Sequence, residues 1–244
     1  VYKIATLAVG ATPVIVPRVN FKLTVDDIIS RVTTRTKILY LDHPGNPVAH
    51  YLTNNEIEEL LELMPSKVLV VLDSAYAEYM DSDDYHCGTK WVQKYPNVVM
   101  ARSFSKAYGM ANLRLGWLYA QPEIVDPMHR IRPPFNTTGI SQAAGIAALG
   151  DQEWIRQCVS LNKENLSKFL LNMDKLNIQV LPFASNFVMA KFKDSASVYR
   201  YLGERGVIVR PMGAYELPEY LRITIGKAEE MDELVNLLGS CSYR

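Results

Sequence analysis

The sequence predicts an α/β fold, in which helices cover both sides of a mostly parallel sheet and a smaller α+β lobe follows. Runs rich in apolar residues and of strand length recur at 37–41, 68–72 and 97–101, and segments of helical periodicity separate them. The run from Val68 to Leu72 is apolar throughout, which is typical of a strand that is buried on both faces. Strands that alternate with helices favour right-handed crossovers and parallel pairing.

The first part of the chain, residues 1–152, is predicted to form the larger, sheet-containing domain. Thr24 and Thr53 each precede a helical pattern and can cap it through the side-chain oxygen. Strands are predicted at 12–17, 37–41, 68–72, 97–101 and 115–119. Helices are predicted at 2–9, directly after Thr24, and at 53–63, 123–130 and 141–149.

The pattern changes in the second part of the chain. A long helix at 153–176 is predicted to link the sheet domain to a small α+β domain at 177–244. Within that domain, short strands are predicted near 179–181, 186–191, 207–209 and 221–225, and helices at 196–204 and 228–238.

Composition excludes several classes of function. Basic and acidic residues both number 26, so the net charge is zero, and no basic stripe suggests a nucleic-acid surface. No apolar stretch is long enough to predict a membrane span. Cys87, Cys158 and Cys241 form neither a disulfide framework nor a zinc pattern, so we expect reduced thiols, a cytoplasmic protein and no metal site.

Polar side chains that are able to bind a ligand or take part in catalysis follow three of the predicted strands. They are Asn46, Asp73, Tyr76, Ser103, Ser105 and Lys106. Because the carboxyl ends of parallel strands meet at one edge of a sheet, where ligands bind, we expect these side chains to lie close together. A lysine held at such an edge can lose its proton and act as a nucleophilic amine.

With these residues the sequence resembles the fold-type I aminotransferases that use pyridoxal 5′-phosphate (PLP), and among them the histidinol-phosphate aminotransferases. The resemblance extends over nearly the whole chain. The matching segments are Pro44–Pro47, Asp73–Tyr76, Ser103–Gly109, Leu113–Trp117, Gly206–Met212 and Leu221–Gly226.

The resemblance implies a role for each residue of the cofactor site. Lys106 forms the Schiff base with PLP and then moves a proton as general base and acid. Asp73 pairs with the protonated pyridine nitrogen, since a pyridinium accepts electrons better than a neutral ring. Asn46 and Tyr76 bond the phenolic oxygen of the cofactor.

In this interpretation, arginine and hydroxyl side chains bind the anionic groups of the cofactor and of the substrate. Ser103, Ser105 and Arg114 hold the cofactor phosphate. Arg222 lies in an apolar strand, where an arginine needs an anionic partner, and the resemblance supplies the substrate carboxylate. Arg210 resembles the arginine that recognises the phosphate of histidinol phosphate.

Each assignment has a structural alternative. Asp73 is also suited to cap a helix, and Arg210 to be an ordinary surface arginine. Lys106 is also suited to a polar surface loop, Ser103 to a hydrogen bond with the backbone at a strand end, and Arg114 to an exposed ion pair. Asn46 before Pro47 is typical of a turn, and Tyr76 of a packed core.

The sequence departs from the family in two places. Val48 and Ala49 stand where the family has Thr-Gly. The chain also begins at Val1 without the N-terminal part of the family, which supplies a phosphate-binding loop, an aromatic residue that stacks on the cofactor, and contacts to a neighbouring subunit. We therefore interpret the chain as a fragment or a truncated reading frame.

Three functions remain open. The resemblance implies transfer of an amino group between histidinol phosphate and 2-oxoglutarate, in a homodimer that takes a small-molecule amino donor and a 2-oxo acid acceptor. The nearest alternative is an aromatic or broad-range aminotransferase, or a phospho-threonine decarboxylase of the same fold. A third is a catalytically silent α/β scaffold that associates with itself.

Overall fold

The computed structural model describes residues 2–181 and 184–243. This part of the chain falls into two compact units. The first comprises the chain up to Gly45 together with His50–Ile146, and the second comprises Asn46–Ala49 and the chain from Ala147 onward.

The first unit is built on a four-stranded sheet with the order β1-β2-β3-β4. The strands are β1 (Ile38–Asp42), β2 (Leu69–Asp73), β3 (Val98–Ser103) and β4 (Gly116–Tyr119). The first three pair in parallel and β4 is antiparallel to β3. The predicted mostly parallel sheet is thereby confirmed.

Helices accompany these strands. They are α1 (Tyr2–Ala8), α2 (Val25–Ile29), α3 (Asn54–Leu63), α4 (Thr89–Lys94), α5 (Pro122–Ile131) and α6 (Gly139–Gly150). Both predicted caps are confirmed: Thr24 and Thr53 form capping boxes with Asp27 and Glu56, each pair satisfying two backbone N–H groups that a helix start leaves without a partner.

One face of the sheet forms the core of this unit. The side chains of Leu41, Val70, Leu72, Val98 and Met100 are buried against α2, α3 and α4. Because side chains alternate along a strand, the residues between them point to the opposite face. Register places Tyr40, Val71 and Val99 on that second face, and Asp73 at its carboxyl edge.

The second unit contains a three-stranded antiparallel sheet with the order β5-β7-β6. It consists of α7 (Gln152–Lys175), β5 (Phe187–Lys191), α8 (Ser195–Gly203), β6 (Arg210–Pro211), β7 (Tyr220–Thr224) and α9 (Ala228–Ser240). Helix α7 contributes Leu166, Phe169 and Met173 to the core of this unit.

Three predicted strands were wrong or shorter than expected. Residues 12–17 form no strand, since Pro13 and Pro17 lack the N–H group that a ladder requires. The strand predicted at 207–209 lies instead at Arg210–Pro211, because the N–H of Val207 bonds back to Leu202 at the end of α8. Near 179–181 the described residues show a single bridge, Val180 to Ala190.

None of the helices in the described ranges combines the length and the apolar character that crossing a membrane requires. Among the same residues, no group of three or more His, Cys, Asp or Glu side chains is arranged to hold a metal ion.

Candidate active site

Asp73 ends the central strand β2 and forms the centre of the candidate site in the first unit. Its Cα lies in register with Asp42 of β1 and Ala101 of β3. One carboxylate oxygen, Oδ1, accepts the backbone N–H of Ala75 at 3.3 Å, and Oδ2 accepts the hydroxyl of Tyr2 at 2.5 Å. The short helix that follows, Ala77–Tyr79, begins after Tyr76, so the alternative of Asp73 as its N-cap is wrong.

Lys106 lies in the turn that follows β3. Phe104 and Ala107 are buried on either side of it and anchor the turn. The N–H of Gly109 donates to the Lys106 carbonyl at 2.9 Å, with Gly109 at a φ of 70° that favours glycine. The backbone therefore holds the lysine at the edge of the sheet.

Two of the predicted site residues meet at this edge. The Lys106 Nζ lies 4.9 Å from the ring centroid of Tyr76, which is a cation–π contact. Tyr76 is buried, at 6% exposure, and Lys106 is half-buried. The structure thus brings the amine, the Tyr76 ring and the end of β2 to one side of the first unit.

The predicted phosphate-binding residues divide into a pair and a separate side chain. The Ser103 hydroxyl accepts the N–H of Ser105 at 3.0 Å, which orders both residues. The Arg114 guanidinium is exposed and donates to the Ala111 carbonyl at 2.8 Å, within its own turn. In the described part of the chain, no hydrogen bond joins Arg114 to either serine.

The turn that carries Arg114 is held by helix α6. The Ser141 hydroxyl donates to the Leu113 carbonyl at 2.8 Å and is 3% exposed. Gly145, one turn further, faces Leu115 so closely that an added Cβ would lie 2.5 Å from a Leu115 methyl carbon. This close approach explains why a glycine stands inside α6, despite its cost to a helix.

Strand alternation keeps Arg102 out of the candidate site although it precedes Ser103. Arg102 points to the face of the sheet that packs against α2, α3 and α4, the covered face, and there it forms an ion pair with Glu78 and lies 5.9 Å from the Trp117 ring. Ser103 therefore points to the opposite face, together with Asp73.

Burial controls the protonation of two side chains in the first unit. The Tyr2 hydroxyl has its pKa raised well above the ordinary value by burial and by the neighbouring Asp73 carboxylate. Directly after β1, burial lowers the pKa of His43 to about 4. The His43 ring lies 4.6 Å from that of Tyr85, and its Nε2 is 3.2 Å from the His86 carbonyl oxygen.

The second unit contains the predicted substrate-binding arginines. Arg222 of β7 donates through Nη1 to the Asn46 side-chain oxygen at 2.8 Å, and its guanidinium lies 4.8 Å from the Phe187 ring. Arg210 of β6 is directly opposite Arg222 in the antiparallel pair and is exposed. Opposed residues share a face of the sheet, so two guanidinium groups point the same way, an arrangement that an anion would stabilise.

Sequence reasoning assigned no role to Tyr2. Its hydrogen bond to Asp73 spans 71 residues, and no local pattern could have indicated it. The same holds for the contact between Arg222 and Asn46, which spans 176 residues, although both side chains had been predicted to bind.

Comparison with known proteins places these residues in context. The family model for aminotransferase class I and II matches residues 2–238. A histidinol-phosphate aminotransferase from Rhodospirillum centenum is 42% identical over 243 residues, which cover 98% of this chain and 67% of that protein. The curated relatives that it matches are thus about half as long again as this chain, which spans 62–67% of their length.

Solved structures show the same architecture. The histidinol-phosphate aminotransferase from Sinorhizobium meliloti, in complex with pyridoxal 5′-phosphate, is similar with a TM-score of 0.88 and 26% identity, over 98% of this chain and 66% of that one. An aromatic aminotransferase from Pyrococcus horikoshii OT3 has a TM-score of 0.80 and 22% identity over 98% of this chain and 69% of that one, and this second similarity shows the fold alone. The predicted fold class, that of the fold-type I PLP-dependent transferases, is confirmed.

Proposed function

Since the chain belongs to the aminotransferase class I and II family, we propose that it is a PLP-dependent aminotransferase acting between histidinol phosphate and 2-oxoglutarate. The observation that supports this most is the adjacency of β2 and β3. Asp73 ends one strand in register with Ala101 of the other, and Lys106 is the third residue after the end of that second strand. A carboxylate and an amine are the two groups that a PLP enzyme needs at a sheet edge.

The residues present fit the cofactor. The two oxygens of Asp73 accept one hydrogen bond each from Tyr2 and Ala75, and a carboxylate has about four acceptor positions, so capacity remains for a ring nitrogen. The Lys106 amine is half-buried and accessible. PLP, when bound, supplies an electron sink for the bond that breaks at the substrate Cα.

We assign the remaining roles to the side chains of this chain. Lys106 holds the cofactor and afterwards carries a proton to and from the substrate Cα. The Tyr76 hydroxyl and the Asn46 side-chain amide each donate a hydrogen bond to the phenolic oxygen of the cofactor. Ser103, Ser105 and Arg114 bind the cofactor phosphate, for which Arg114 has to leave the Ala111 carbonyl.

Substrate recognition is assigned to the second unit. Arg222 binds the carboxylate of 2-oxoglutarate, or of the glutamate formed from it, in a bidentate pair, and Arg210 binds the phosphate of histidinol phosphate, which has no carboxylate of its own. The two guanidinium groups, opposed on β7 and β6, support a substrate with a phosphate dianion better than an aromatic amino acid with a single carboxylate. A cytoplasmic location and a homodimeric assembly belong to the same proposal.

Borohydride reduction in the presence of PLP tests the cofactor site. Reduction should attach a pyridoxyl group to Lys106, identified by mass spectrometry of the digested protein, and Lys106→Ala should abolish the labelling. The matched control is Lys94→Ala, because Lys94 also lies over a tyrosine ring, at 5.0 Å from Tyr95, but is exposed. Labelling of many lysines to equal extent, or of none, contradicts the proposal.

Substrate competition tests the narrower assignment. We expect the rate with histidinol phosphate to exceed that with phenylalanine, and Arg210→Gln to raise KM for the phosphate-bearing substrate alone. Equal rates would favour an aromatic or broad-range aminotransferase. Release of CO₂ from phospho-threonine would favour the decarboxylase.

A self-associating scaffold without catalysis is the second candidate, and exposed apolar side chains favour it. Ile131, Phe135, Ile140 and Ile146, on or beside α5 and α6, are between 75% and 96% exposed. Apolar surface of this kind marks an interaction site. Light scattering measures the association, and a protein that self-associates while Lys106 remains unlabelled with PLP supports the scaffold over the enzyme.

A further inference from the structure

The Tyr2 side chain contacts the carboxylate on which the proposed cofactor site depends. Its hydroxyl donates to Asp73 Oδ2 at 2.5 Å. Its ring stacks on Tyr40, with the centroids 5.1 Å apart and the planes 18° from parallel. Tyr40 lies on the same face of the sheet as Asp73, so the stack directs the hydroxyl toward the end of β2.

Asp73 has an acidic neighbour that makes such a contact useful. Asp42 ends the adjacent strand β1 in register with Asp73, and neighbouring strands lie only about 4.8 Å apart. Like charges at this spacing repel and favour side-chain rotation away from each other. Arg18 forms an ion pair with Asp42 at 2.8 Å, and Tyr2 holds Asp73, so each carboxylate has its own partner.

The two hydrogen bonds to Asp73 restrain the rotation of its carboxylate, which can still accept a further hydrogen bond. The Ala75 N–H and the Tyr2 hydroxyl use one acceptor position on each oxygen. A carboxylate with both oxygens engaged cannot rotate freely about its terminal bond, whereas one held by the Ala75 N–H alone can.

We propose that Tyr2 is a positioning residue for the cofactor: its hydroxyl fixes the Asp73 carboxylate in the orientation that accepts the pyridine nitrogen. The inference rests on the proposed function, because it presupposes that the ligand of Asp73 is a protonated ring nitrogen. Tyr2 itself touches neither cofactor nor substrate in this scheme.

The contrary interpretation predicts the opposite sign. If the Tyr2 hydroxyl occupied the position that the ring nitrogen needs, then removing it would strengthen cofactor binding. If it positions Asp73, its removal weakens binding. The dissociation constant of PLP in the absence of substrate therefore separates the two.

The experiment compares Tyr2→Phe with Tyr40→Phe by absorbance titration of each protein with PLP. Both variants keep the stacked rings, and only the first removes the hydrogen bond to Asp73. We expect the dissociation constant to rise about tenfold in Tyr2→Phe, because the charged hydrogen bond between the ring nitrogen and a carboxylate that is no longer oriented is weakened, and to stay within about twofold in Tyr40→Phe. An unchanged or lower constant in Tyr2→Phe overturns the proposal.

A measurement without cofactor tests the contact itself. In protein labelled with ¹³C at the tyrosine Cζ, the Tyr2 signal should stay that of a neutral phenol at a pH that ionises the free amino-acid derivative N-acetyltyrosinamide, because burial and Asp73 raise the pKa of Tyr2. Asp73→Asn should lower the pH at which the Tyr2 signal moves, because it removes the carboxylate that disfavours the phenolate. A Tyr2 signal that ionises at the same pH as N-acetyltyrosinamide overturns the inference.

The two proposals fail in distinguishable ways. If borohydride labels Lys106 in the unaltered chain but Tyr2→Phe binds PLP as tightly as that chain, the role of Tyr2 is wrong and the function stands. If the unaltered chain takes no label, the function fails and the positioning role fails with it. Urea unfolding of Tyr2→Phe should still show a single cooperative transition from a folded protein, which excludes a loss of fold as the cause.

Discussion

The two faces of the four-stranded sheet differ in what they do, although the same strands form both. Leu41, Leu72 and Met100 on the covered face are at most 4% exposed. On the other face, Val71 and Val99 are buried as well, but Tyr40 is 47% exposed, and Asp73 and Ser103 lie at the carboxyl edge. Consecutive residues therefore contribute to different properties, because successive side chains of a strand point to opposite faces of the sheet. Stability and binding can then be altered separately by substitutions one residue apart.

The largest effect is expected for Leu72→Ala against its neighbour Asp73→Asn. Leu72 is fully buried, so its truncation should lower the free energy of unfolding by about 4 kcal/mol. Asp73→Asn keeps the shape and one acceptor oxygen and should change it by less than about 1 kcal/mol. Urea unfolding measures both, and similar losses in the two variants would contradict the division between the faces.

The ion pair on the covered face provides a second test. The Glu78 side chain is 7% exposed and its partner Arg102 is 16% exposed. Glu78→Gln leaves the buried guanidinium without a counter-charge and should cost about 3 kcal/mol of unfolding free energy. The double variant Glu78→Gln, Arg102→Met should recover most of that loss, which urea unfolding of all three proteins checks. If Glu78→Gln left the free energy of unfolding unchanged, water would have to solvate this ion pair in the folded protein.

The lowered pKa of His43 predicts how the free energy of unfolding depends on pH. Its folded-state pKa is lowered from 6.5 to about 4, so the unfolded chain takes up the proton first as the pH falls. The stabilisation from the neutral ring is complete above pH 6.5 and is lost as the pH falls toward 4. Unfolding free energy should drop by about 2 kcal/mol between pH 7 and pH 4.5 from this group.

The control for this pH dependence is the exposed His129 of α5. His43→Gln should flatten the decline between those pH values, measured by urea unfolding, whereas His129→Gln should leave it as in the unaltered chain. A decline of the same size in His43→Gln would assign the pH dependence to other groups.

The smallest expected effect concerns the helix that covers the sheet. Thr53→Ala removes the capping box at the start of α3 and should cost about 1 kcal/mol. Ser167→Ala, in the exposed middle of α7, is the matched control and should be nearly neutral. Thermal unfolding compares the two variants. Equal midpoint temperatures would show that the capping box of α3 does not contribute to the stability of the protein.

Local patterns predicted the fold well because most of its elements follow local rules. Apolar runs predicted β1, β2 and β3, and Thr24 and Thr53 predicted two helix starts. The strand at 207–209 was misplaced because its true position depends on pairing with β7, which lies more than ten residues further along the chain. A β propensity cannot report where the partner strand will be.

The candidate site was predictable in its residue types and not in its contacts. Polar side chains at strand ends indicated Asp73 and Lys106, and the structure brings both to the same edge. The bond from Tyr2 to Asp73 depends on how α1 packs on the sheet, which no spacing in the sequence encodes. The binding roles of these residues remain predictions until the cofactor experiments are done.

The alternation along β3 also limits how this chain can evolve. Exchanging one residue type for another at Arg102 or Ser103 alters either the internal ion pair or the binding edge. Deleting a single residue between Val98 and Arg102 would invert every later side chain of the strand, moving a guanidinium to the ligand side and a hydroxyl into the interior. A substitution in this segment therefore disturbs one face of the sheet at a time, whereas a change in its length disturbs both faces together, so we expect length to be the more constrained of the two in descendants of this gene.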